Sequence, residues 1–320
     1  MPSDAELDLS FVVPVYNEAE SLRELTEQIA AAVAPLGKRW ELLFVDDGST
    51  DASWTTITKL AVERPEVRGL KFRRNFGKAA ALQAGFGVAR GAIVFTLDAD
   101  LQDDPVEIPR FLDALNAGKD VVSGWKQIRH DPWHKVFPSR VFNGIVSRLT
   151  GVTLHDHNCG YKAYRRDVVH EVRLYGELHR FVPVLAAARG WRIGELPVHH
   201  RPRKFGRSKF GWQRFLKGFL DLLHVRFVTA YGRRPMHFFG TLSVVLFGIA
   251  VALGVVGCVG LLFTSWPLLA SSMIVLGMVG LAAAIQMLTA GLLGELFVSR
   301  STTDRDTFEI SSRVGTETAS

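Results

Sequence analysis

The stretch Thr96-Leu97-Asp98-Ala99-Asp100-Leu101-Gln102-Asp103-Asp104-Pro105 decides how this chain folds. It continues an apolar run, residues 92–97, that predicts a buried strand. Pro105 predicts that a helix begins directly afterwards, because its fixed φ suits the first helical turn. Asp98 and Asp100 are therefore expected at the carboxyl end of a central strand, where open α/β sheets bind their ligands.

The acidic side chains of this stretch predict a metal site. Residues two apart at a strand end project to the same side, so Asp98 and Asp100 can converge on one point. With the amide oxygen of Gln102 they form a set of hard oxygen ligands suited to Mg²⁺ or Mn²⁺. For Asp103 and Asp104 we favour a simpler interpretation, in which acidic residues complement the dipole of the following helix.

Apolar runs alternate with helical patterns along the first part of the chain. Asn17, with a carboxylate three residues on, is expected to cap the first helix. The alternation indicates an α/β fold with a mostly parallel sheet and helices on both faces. Further strands are predicted at residues 9–15, 40–45, 67–72 and 121–124, and helices at 17–34 and 77–89.

Two common nucleotide-binding patterns are absent from the sequence. Gly85-Phe86-Gly87 lacks a third glycine and precedes a strand, so it is not a dinucleotide fingerprint. Gly77-Lys78 lacks the upstream glycine and the following hydroxyl residue of a phosphate-binding loop. A nucleotide site must instead be built from the ends of the first two strands, at residues 14–18 and at Asp46 and Asp47. Carboxylates there can accept hydrogen bonds from a base imide or a ribose hydroxyl.

Two uncharged apolar runs, residues 238–263 and 268–293, are each long enough to span a membrane. The short link between them predicts a tight hairpin turn. No secretory leader is visible, and arginines flank the pair of runs, so both termini and the large N-terminal region are expected in the cytoplasm. Small residues within the runs are expected to allow close packing between subunits. These residues are Gly254, Gly257, Gly277 and Gly280.

Two segments before these runs mix basic and aromatic residues. Residues 126–148 suit either an amphipathic segment at a lipid surface or a solvated basic face. Residues 212–228 have apolar side chains at helical spacing, which predicts a helix in the membrane plane or one packed on the soluble core. Anionic lipid and phosphorylated substrates explain the net charge of +6 better than nucleic acid does. Cys159 and Cys258 imply no disulfide framework.

Three motifs follow one another in order along the soluble region. They are Val13-Pro14-Val15-Tyr16-Asn17-Glu18, Val45-Asp46-Asp47-Gly48-Ser49-Thr50-Asp51 and Asp98-Ala99-Asp100-Leu101-Gln102-Asp103-Asp104-Pro105. Together they resemble the inverting glycosyltransferases of family 2. The resemblance implies a GT-A fold, which is an α/β nucleotide-sugar-binding domain with a mostly parallel sheet.

A narrower resemblance, to the polyprenyl-phosphate glycosyltransferases, is carried by residues 156–165, 176–181 and 203–210. Such enzymes load one sugar onto a lipid phosphate at the cytoplasmic face of a membrane, and the two C-terminal runs match the bacterial type. The resemblance implies that the metal is held by Asp98, Asp100 and Gln102. The residues it implies for the nucleotide sugar are Pro14, Tyr16, Asn17, Glu18, Asp46, Asp47, Lys78, Asp98, Ala99, Asp100 and His179.

The expected chemistry needs no strong base, because a lipid phosphate is already an oxyanion at neutral pH. Catalysis would then depend on positioning and on stabilisation of the departing nucleoside diphosphate by the metal. Arg207, Ser208 and Lys209 are expected to close over the diphosphate. Guanidinium groups fit phosphate oxygens well. The candidates for the acceptor phosphate are Arg129, Arg140, Ser208 and Lys209.

The predicted reaction moves a hexose from UDP-glucose to undecaprenyl phosphate and gives a β-linked product. Some bacterial glucosyltransferases carry an acidic residue where this chain has Gly160, so GDP-mannose and then UDP-N-acetylhexosamines are alternative donors. The expected protein is a homo-oligomer in the bacterial plasma membrane. Its predicted parts are a cytosolic GT-A domain (1–210), an interfacial helix and linker (211–235), two transmembrane helices (236–298) and a polar cytosolic tail (299–320).

Other functions fit the sequence less well. A processive polysaccharide synthase usually has more spans and a Gln-x-x-Arg-Trp motif, and neither is visible here. A non-catalytic scaffold that only binds nucleotide sugars would not need the intact acidic stretch. A zinc site at His155, Asp156 and His157 matches no usual ligand spacing.

Overall fold

The computed structural model describes residues 7–127, 133–201, 204, 213–232, 234–263 and 266–301. The chain divides into two compact units, Met1–Val225 and Arg226–Ser320. The helices are α1 (Leu22–Val33), α2 (Ser53–Glu63), α3 (Lys78–Val88), α4 (Ile108–Asn116), α5 (Trp133–Thr150), α6 (Arg166–Glu171), α7 (Val182–Ala187), α8 (Gln213–Tyr231), α9 (Pro235–Phe263) and α10 (Pro267–Ser301).

The first unit is built on a sheet that has seven strands within the described residues, in the order β3-β2-β1-β4-β6-β5-β7. Neighbouring strands are parallel except for β6, which is antiparallel to both β4 and β5. The sheet is therefore mostly parallel, as the alternating pattern predicts. The strands are β1 (Leu7–Val15), β2 (Trp40–Asp46), β3 (Val67–Lys71), β4 (Gly91–Thr96), β5 (Val121–Lys126), β6 (Lys162–Arg165) and β7 (Ile193–Val198).

Each face of the sheet is covered by its own apolar core. Alternation along β1 sends Phe11 to one core and Val12 to the other, and both side chains are fully buried. The first core contains side chains of α1, α2 and α4, and the second contains those of α3, α6 and α7. Helices on both faces leave the carboxyl edge of the central strands open for loops.

Two predicted helix boundaries are wrong. Asn17 does not cap α1, which begins at Leu22, because Asn17 has a positive φ of 56° and its side-chain oxygen accepts the N–H of Thr50 at 2.8 Å. Pro105 opens a single 3₁₀ turn, Pro105–Glu107, and the α-helix starts only at Ile108. In both cases the loop after a strand is longer than the local pattern indicates.

A buried carboxylate fixes the opposite end of the sheet. Glu41 is 1% exposed and accepts hydrogen bonds from Ser10 Oγ and Arg90 N, both at 2.7 Å, and from Arg68 at 2.7 Å. Burial alone would raise the pKa of Glu41, but these donors outweigh it and hold the pKa below its usual value. The ionised carboxylate thus stabilises the folded state at neutral pH.

Replacing Glu41 by glutamine is expected to lower the free energy of unfolding by about 2 kcal/mol at pH 7, because a buried donor loses its acceptor. Since the folded pKa is depressed, the stabilisation exists above the unfolded pKa and is lost as pH falls through the folded pKa. The difference between wild type and variant should therefore shrink in acid. Thermal unfolding followed across this range tests the prediction, and equal stability at pH 7 would contradict it.

The second unit contains two long apolar helices, α9 and α10, that by length and composition can each span a membrane. They pack as an antiparallel pair through small residues. A Cβ placed on Gly257 would lie 2.8 Å from the carbonyl oxygen of Ala270, and one on Gly277 equally close to that of Ala250. These glycines therefore serve a contact within the chain, where the sequence analysis expected contacts between subunits.

Candidate active site

The carboxyl ends of β1 and β2 lie side by side, because Val15 pairs with Asp46 in the parallel register. Asn17 connects the two loops: its N–H donates to Ser49 Oγ at 2.9 Å and its side chain accepts from Thr50. The N–H of Glu18 donates to Ser53 Oγ at 3.0 Å. The two loops thus form one hydrogen-bonded edge.

The paired acids after β2 have different surroundings. Asp47 accepts the backbone N–H groups of Phe76 at 2.7 Å and Gly77 at 2.9 Å, so it holds the loop that leads into α3. Asp46 is fully buried, and one of its oxygens accepts the N–H of Ser49 at 2.9 Å. Its other oxygen has no hydrogen-bond partner among the described residues. Asp46 therefore has one buried oxygen without a protein partner among the described residues, whereas both oxygens of Asp47 are used by the protein.

Other residues predicted to bind the nucleotide lie along the same carboxyl edge of the sheet. Pro14 lies within β1 opposite Val45, and the Tyr16 side chain is 37% exposed. Ala99 is buried between the two acids of the β4 loop. Exposure leaves the Tyr16 ring accessible to a ligand, while Pro14 and Ala99 offer only backbone.

Asp98, just beyond β4, forms an ion pair with Lys78 at the start of α3. Burial would raise the pKa of Asp98, but the ammonium groups of Lys78 and Lys126 outweigh it and hold the pKa well below its usual value. The Asp98 side chain is still one-third exposed, at 33%. It is thus an ionised carboxylate that a ligand can reach.

The next turn holds Asp100 and Gln102. Asp100 is 6% exposed, and its Oδ1 accepts the N–H of Gln102 at 3.2 Å. Leu101 between them has a positive φ of 62°, an uncommon conformation for a leucine that concentrates backbone strain in this loop. The Gln102 amide nitrogen lies 3.4 Å from both His200 Nε2 and the Arg201 carbonyl oxygen.

The donor set of this loop fits a divalent metal shared with a substrate. Within the described ranges no three His, Cys, Asp or Glu side chains are grouped to hold an ion by themselves. Two carboxylates and one amide oxygen remain, from Asp98, Asp100 and Gln102. Mg²⁺ is commonly held by one or two carboxylates together with substrate phosphates, which matches this incomplete set.

The two following acids do not behave alike. Asp104 lies at the N-terminus of the helical segment, as predicted, where it caps the 3₁₀ turn by accepting the N–H of Val106 at 3.1 Å. Asp103 does not, and its assignment to the helix terminus is wrong. It is 2% exposed, lies 3.3 Å from Lys126 Nζ and accepts the N–H of Asp98 at 3.3 Å. Asp103 is therefore a buried residue that contacts the backbone of Asp98 from inside the domain.

A small pocket opens next to Asp98 on the β6 side. Its lining includes Lys78, Lys162 and His179. Burial lowers the pKa of His179 well below its usual value, and the Lys78 charge adds to the effect, so the imidazole is neutral at pH 7. His179 is predicted at the nucleotide sugar, whereas Lys162, which is 3% exposed, is not among the predicted site residues. The motif at residues 156–165 contains Lys162, but nothing in its sequence assigns the lysine to this pocket.

Several predicted residues lie outside the described part of the chain. Arg129, Arg207, Ser208 and Lys209 are among them, and of Arg140 only the backbone position, within α5, is described. Their roles toward the acceptor and the diphosphate stay predictions. Arg201, at the end of the described residues 133–201, lies 2.6 Å from Asp104, which holds this end of the stretch on the domain.

The two predicted surface helices, α5 and α8, both expose apolar side chains. In α5, Val141, Ile145 and Leu149 are exposed at a spacing of four residues, which is typical of one helix face. In α8, Leu222 and Val225 are buried in the core of the first unit, so this part of the helix packs on the domain. Leu220 and Leu223 of the same helix are exposed.

The histidines considered for zinc have other partners. His155 lies 2.7 Å from Glu195 Oε2, and His157 Nε2 lies 3.1 Å from Ser147 Oγ. Burial lowers the pKa of His157 to about 4. Each imidazole is used in a separate contact, so the two rings do not share an ion.

Comparison with known proteins identifies the class. Residues 10–173 match the family described as Glycosyl transferase family 2. The chain is 40% identical over 295 residues to a dodecaprenyl-phosphate galacturonate synthase of Rhizobium johnstonii, covering 91% of this chain and 87% of that protein. It is 40% identical over 246 residues to an undecaprenyl-phosphate 4-deoxy-4-formamido-L-arabinose transferase of Edwardsiella ictaluri, covering 76% of this chain and 74% of that one.

Among solved structures, glucosyl-3-phosphoglycerate synthase from Mycobacterium tuberculosis, in complex with Mn²⁺, UDP-glucose and glycerol 3-phosphate, has the same fold. The TM-score is 0.52 at 18% identity, covering 70% of this chain and 81% of that chain. The domain is thus a GT-A-like glycosyltransferase. The chain belongs to glycosyl transferase family 2, and its relatives are polyprenyl-phosphate sugar transferases, which confirms the predicted fold, enzyme class and resemblance.

Proposed function

We propose that this protein transfers one sugar from a nucleotide sugar to a polyprenyl phosphate at a membrane surface. The observation that carries the proposal is the meeting of two acidic strand ends, with three acidic residues between them, at one edge of the sheet. These are the buried Asp46 of β2, with its unpartnered oxygen, and Asp98 and Asp100 after β4. The named activities of the two relatives above support the lipid acceptor.

In this proposal Asp46 accepts a hydrogen bond from the base or the ribose, while Tyr16, Asn17, Glu18 and Asp47 shape the surrounding edge. Asp98, Asp100 and Gln102 would hold Mg²⁺ or Mn²⁺, which supplies positive charge to the departing diphosphate when bound. Lys78 keeps Asp98 ionised and oriented toward the substrate.

The acceptor needs no general base, because its phosphate is ionised at neutral pH. Its oxygen attacks the anomeric carbon as the bond to the nucleoside diphosphate breaks, and single displacement inverts the configuration to a β-linked product. His179, neutral at pH 7, can offer a hydrogen bond to the sugar without repelling Lys78. The proposal is completed by ligands of the acceptor phosphate and of the donor diphosphate, which are Arg129, Arg140, Arg207, Ser208 and Lys209.

The donor sugar is the open part of this function. UDP-glucose stays a prediction, with GDP-mannose as the alternative. The relatives are named for a galacturonate and a formamido-arabinose, which extends the candidates to acidic and amino sugars.

The membrane placement is also part of the proposal. Residues 1–210 would form the cytosolic catalytic domain, 211–235 the interfacial segment, 236–298 two transmembrane helices and 299–320 a cytosolic tail. The length and composition of α9 and α10 and the exposed apolar faces of α5 and α8 support it. A bacterial plasma membrane and a homo-oligomer remain predictions.

The test is transfer of radiolabelled sugar to undecaprenyl phosphate by full-length protein in detergent micelles. A panel of UDP- and GDP-linked hexoses, uronic acids and amino sugars should give lipid-linked product from one donor. Product should disappear when a chelator removes the metal and return with Mn²⁺ or Mg²⁺. Undecaprenol without its phosphate is the matched control. Folded protein that forms no product from any donor would overturn the proposal.

A further inference from the structure

The orientation of the Gln102 side-chain amide is set by its neighbours. An amide binds a hard metal ion through its oxygen, so the end of the group that faces the ion decides whether Gln102 is a ligand. The amide nitrogen lies 3.4 Å from both His200 Nε2 and the carbonyl oxygen of Arg201. The imidazole nitrogen can donate or accept, but a carbonyl oxygen only accepts and therefore favours the amide nitrogen on its side. The amide oxygen of Gln102 is thereby turned away from Arg201.

The backbone of Arg201 is paired with the β4 loop. Its N–H donates to the carbonyl oxygen of Gln102 at 3.0 Å, and Asp103 and His200 form an isolated antiparallel bridge next to this bond. Gln102 thus contacts residue 201 through both its main chain and its side chain. The position of the Arg201 backbone therefore sets the position of the amide.

The side chain of Arg201 anchors this backbone to two other segments. One terminal guanidinium nitrogen lies 2.6 Å from Asp104 Oδ1, and the other donates to Gln28 Oε1 of α1 at 2.9 Å. The side chains of Asp104 and Arg201 are 12% and 31% exposed. A hydrogen bond between charged groups is stronger than a neutral one, and partial burial limits its screening by salt. The anchor thus joins the end of the β4 loop, α1 and the segment that follows β7.

The turn that leads to Gln102 needs such support. Leu101 has a positive φ of 62°, and a non-glycine residue in this conformation persists only where the surrounding structure holds it. Asp100 contributes from inside the turn, because its Oδ1 accepts the N–H of Gln102. Arg201 contributes from outside the turn, through its hydrogen bond to the Gln102 carbonyl oxygen.

We infer that Arg201 is a positioning residue for the divalent metal, because its backbone and its guanidinium hold the Gln102 amide with the oxygen toward the ion. This inference rests on the proposed function, which assigns Gln102 to the metal, and adds a residue that touches neither metal nor substrate. The rival role for an arginine at this place is direct binding of a phosphate group. Both terminal guanidinium nitrogens of Arg201 already have protein partners, which favours the positioning role.

The experiment measures the dissociation constant of Mn²⁺ by calorimetry, with full-length protein in micelles saturated with UDP, or with GDP if UDP does not bind. Arg201→Met removes the guanidinium contacts and keeps a long side chain. We expect the Mn²⁺ dissociation constant to rise about 10-fold, as when a residue that orients a metal ligand is lost. The affinity for the nucleoside diphosphate, measured with a chelator present, should stay unchanged.

A double-mutant cycle separates positioning from general damage. In a Gln102→Ala background the amide is gone, so Arg201→Met should cause no further loss of Mn²⁺ affinity. A merely structural role would lower the affinity by the same factor in both backgrounds.

Two more variants complete the design. Gln28→Leu removes one guanidinium contact and leaves Arg201 in place, so it tests the inference even if Arg201→Met does not fold. It should raise the Mn²⁺ dissociation constant about 3-fold, as the loss of one hydrogen bond would give. The matched control is Arg23→Met, also on α1, which loses two hydrogen bonds to Glu63 and should keep the wild-type Mn²⁺ affinity.

The other outcomes are distinct. Unchanged Mn²⁺ affinity in folded Arg201→Met overturns the inference. A loss of nucleotide affinity in the presence of chelator also overturns it, because the guanidinium would then bind the diphosphate. If Gln102→Ala keeps the wild-type Mn²⁺ affinity, Gln102 is not a ligand and the inference falls, while metal-dependent sugar transfer by the wild type leaves the proposed function intact. If the wild type binds neither Mn²⁺ nor nucleotide and transfers no sugar, both fall together.

Discussion

Asp100→Asn is expected to lower kcat/KM for sugar transfer by about 1,000-fold, the size of effect seen when a group that stabilises transition-state charge is lost. The Asp100 carboxylate is one of the two that the proposed function assigns to the divalent ion, and an amide in its place is a far weaker ligand. The substitution keeps the shape of the side chain and an oxygen that can accept the N–H of Gln102. Steady-state kinetics and Mn²⁺ titration by calorimetry together measure the effect.

Asp113→Asn, at an exposed position of α4, is the matched control and should leave both measurements unchanged. The thermal midpoint of Asp100→Asn should fall by no more than a few degrees. A variant that loses activity but retains wild-type Mn²⁺ affinity would show that Asp100 acts on the substrate by another route. Full activity would remove Asp100 from the site altogether.

The fold and the edge of the sheet that holds the site could be predicted from local pattern alone. Apolar runs ending in polar residues identify β1, β2 and β4, and the parallel arrangement brings their carboxyl ends together. Asp46 and Asp98 can be found in this way because each directly follows its predicted strand, residues 40–45 and 92–97. The predicted and observed strands differ by only one or two residues at most ends.

The missed features depend on contacts between distant parts of the chain. The local sequence predicts a helix-terminal role for Asp103 because nothing near it indicates Lys126, which approaches from the end of β5. Lys162 enters the site because β6 inserts antiparallel between β4 and β5, an arrangement that period-two alternation does not encode. Asn17 likewise makes its hydrogen bond to a residue 33 positions away. Local sequence patterns do not predict the surroundings of a side chain when those surroundings depend on how distant segments of the chain are aligned.

Gly160→Ala is expected to lower kcat/KM by about 100-fold without unfolding the protein, because small displacements of a reacting group have effects of this size. A Cβ on Gly160 would lie 2.6 Å from Asp98 Oδ2 and 2.8 Å from Asp98 Oδ1, distances that no carbon–oxygen contact tolerates. The Asp98 carboxylate is the mobile end of a side chain, so it can rotate away and the backbone can stay in place. Its ion pair with Lys78 and its position at the proposed metal site would both be disturbed.

Kinetics over a range of Mn²⁺ concentrations separate this effect from general damage. A displaced Asp98 should raise the Mn²⁺ concentration needed for half-maximal activity, whereas a lost sugar contact would raise only the KM for the donor. Gly87→Ala is the matched control, since a Cβ on this glycine of α3 meets nothing within 4 Å and alanine is the better helix former. If Gly160→Ala retains wild-type activity and metal dependence, Asp98 can rotate without consequence. The ion pair between Asp98 and Lys78 would then be a structural contact only. Asp100 and Gln102 would be the remaining protein ligands of the metal.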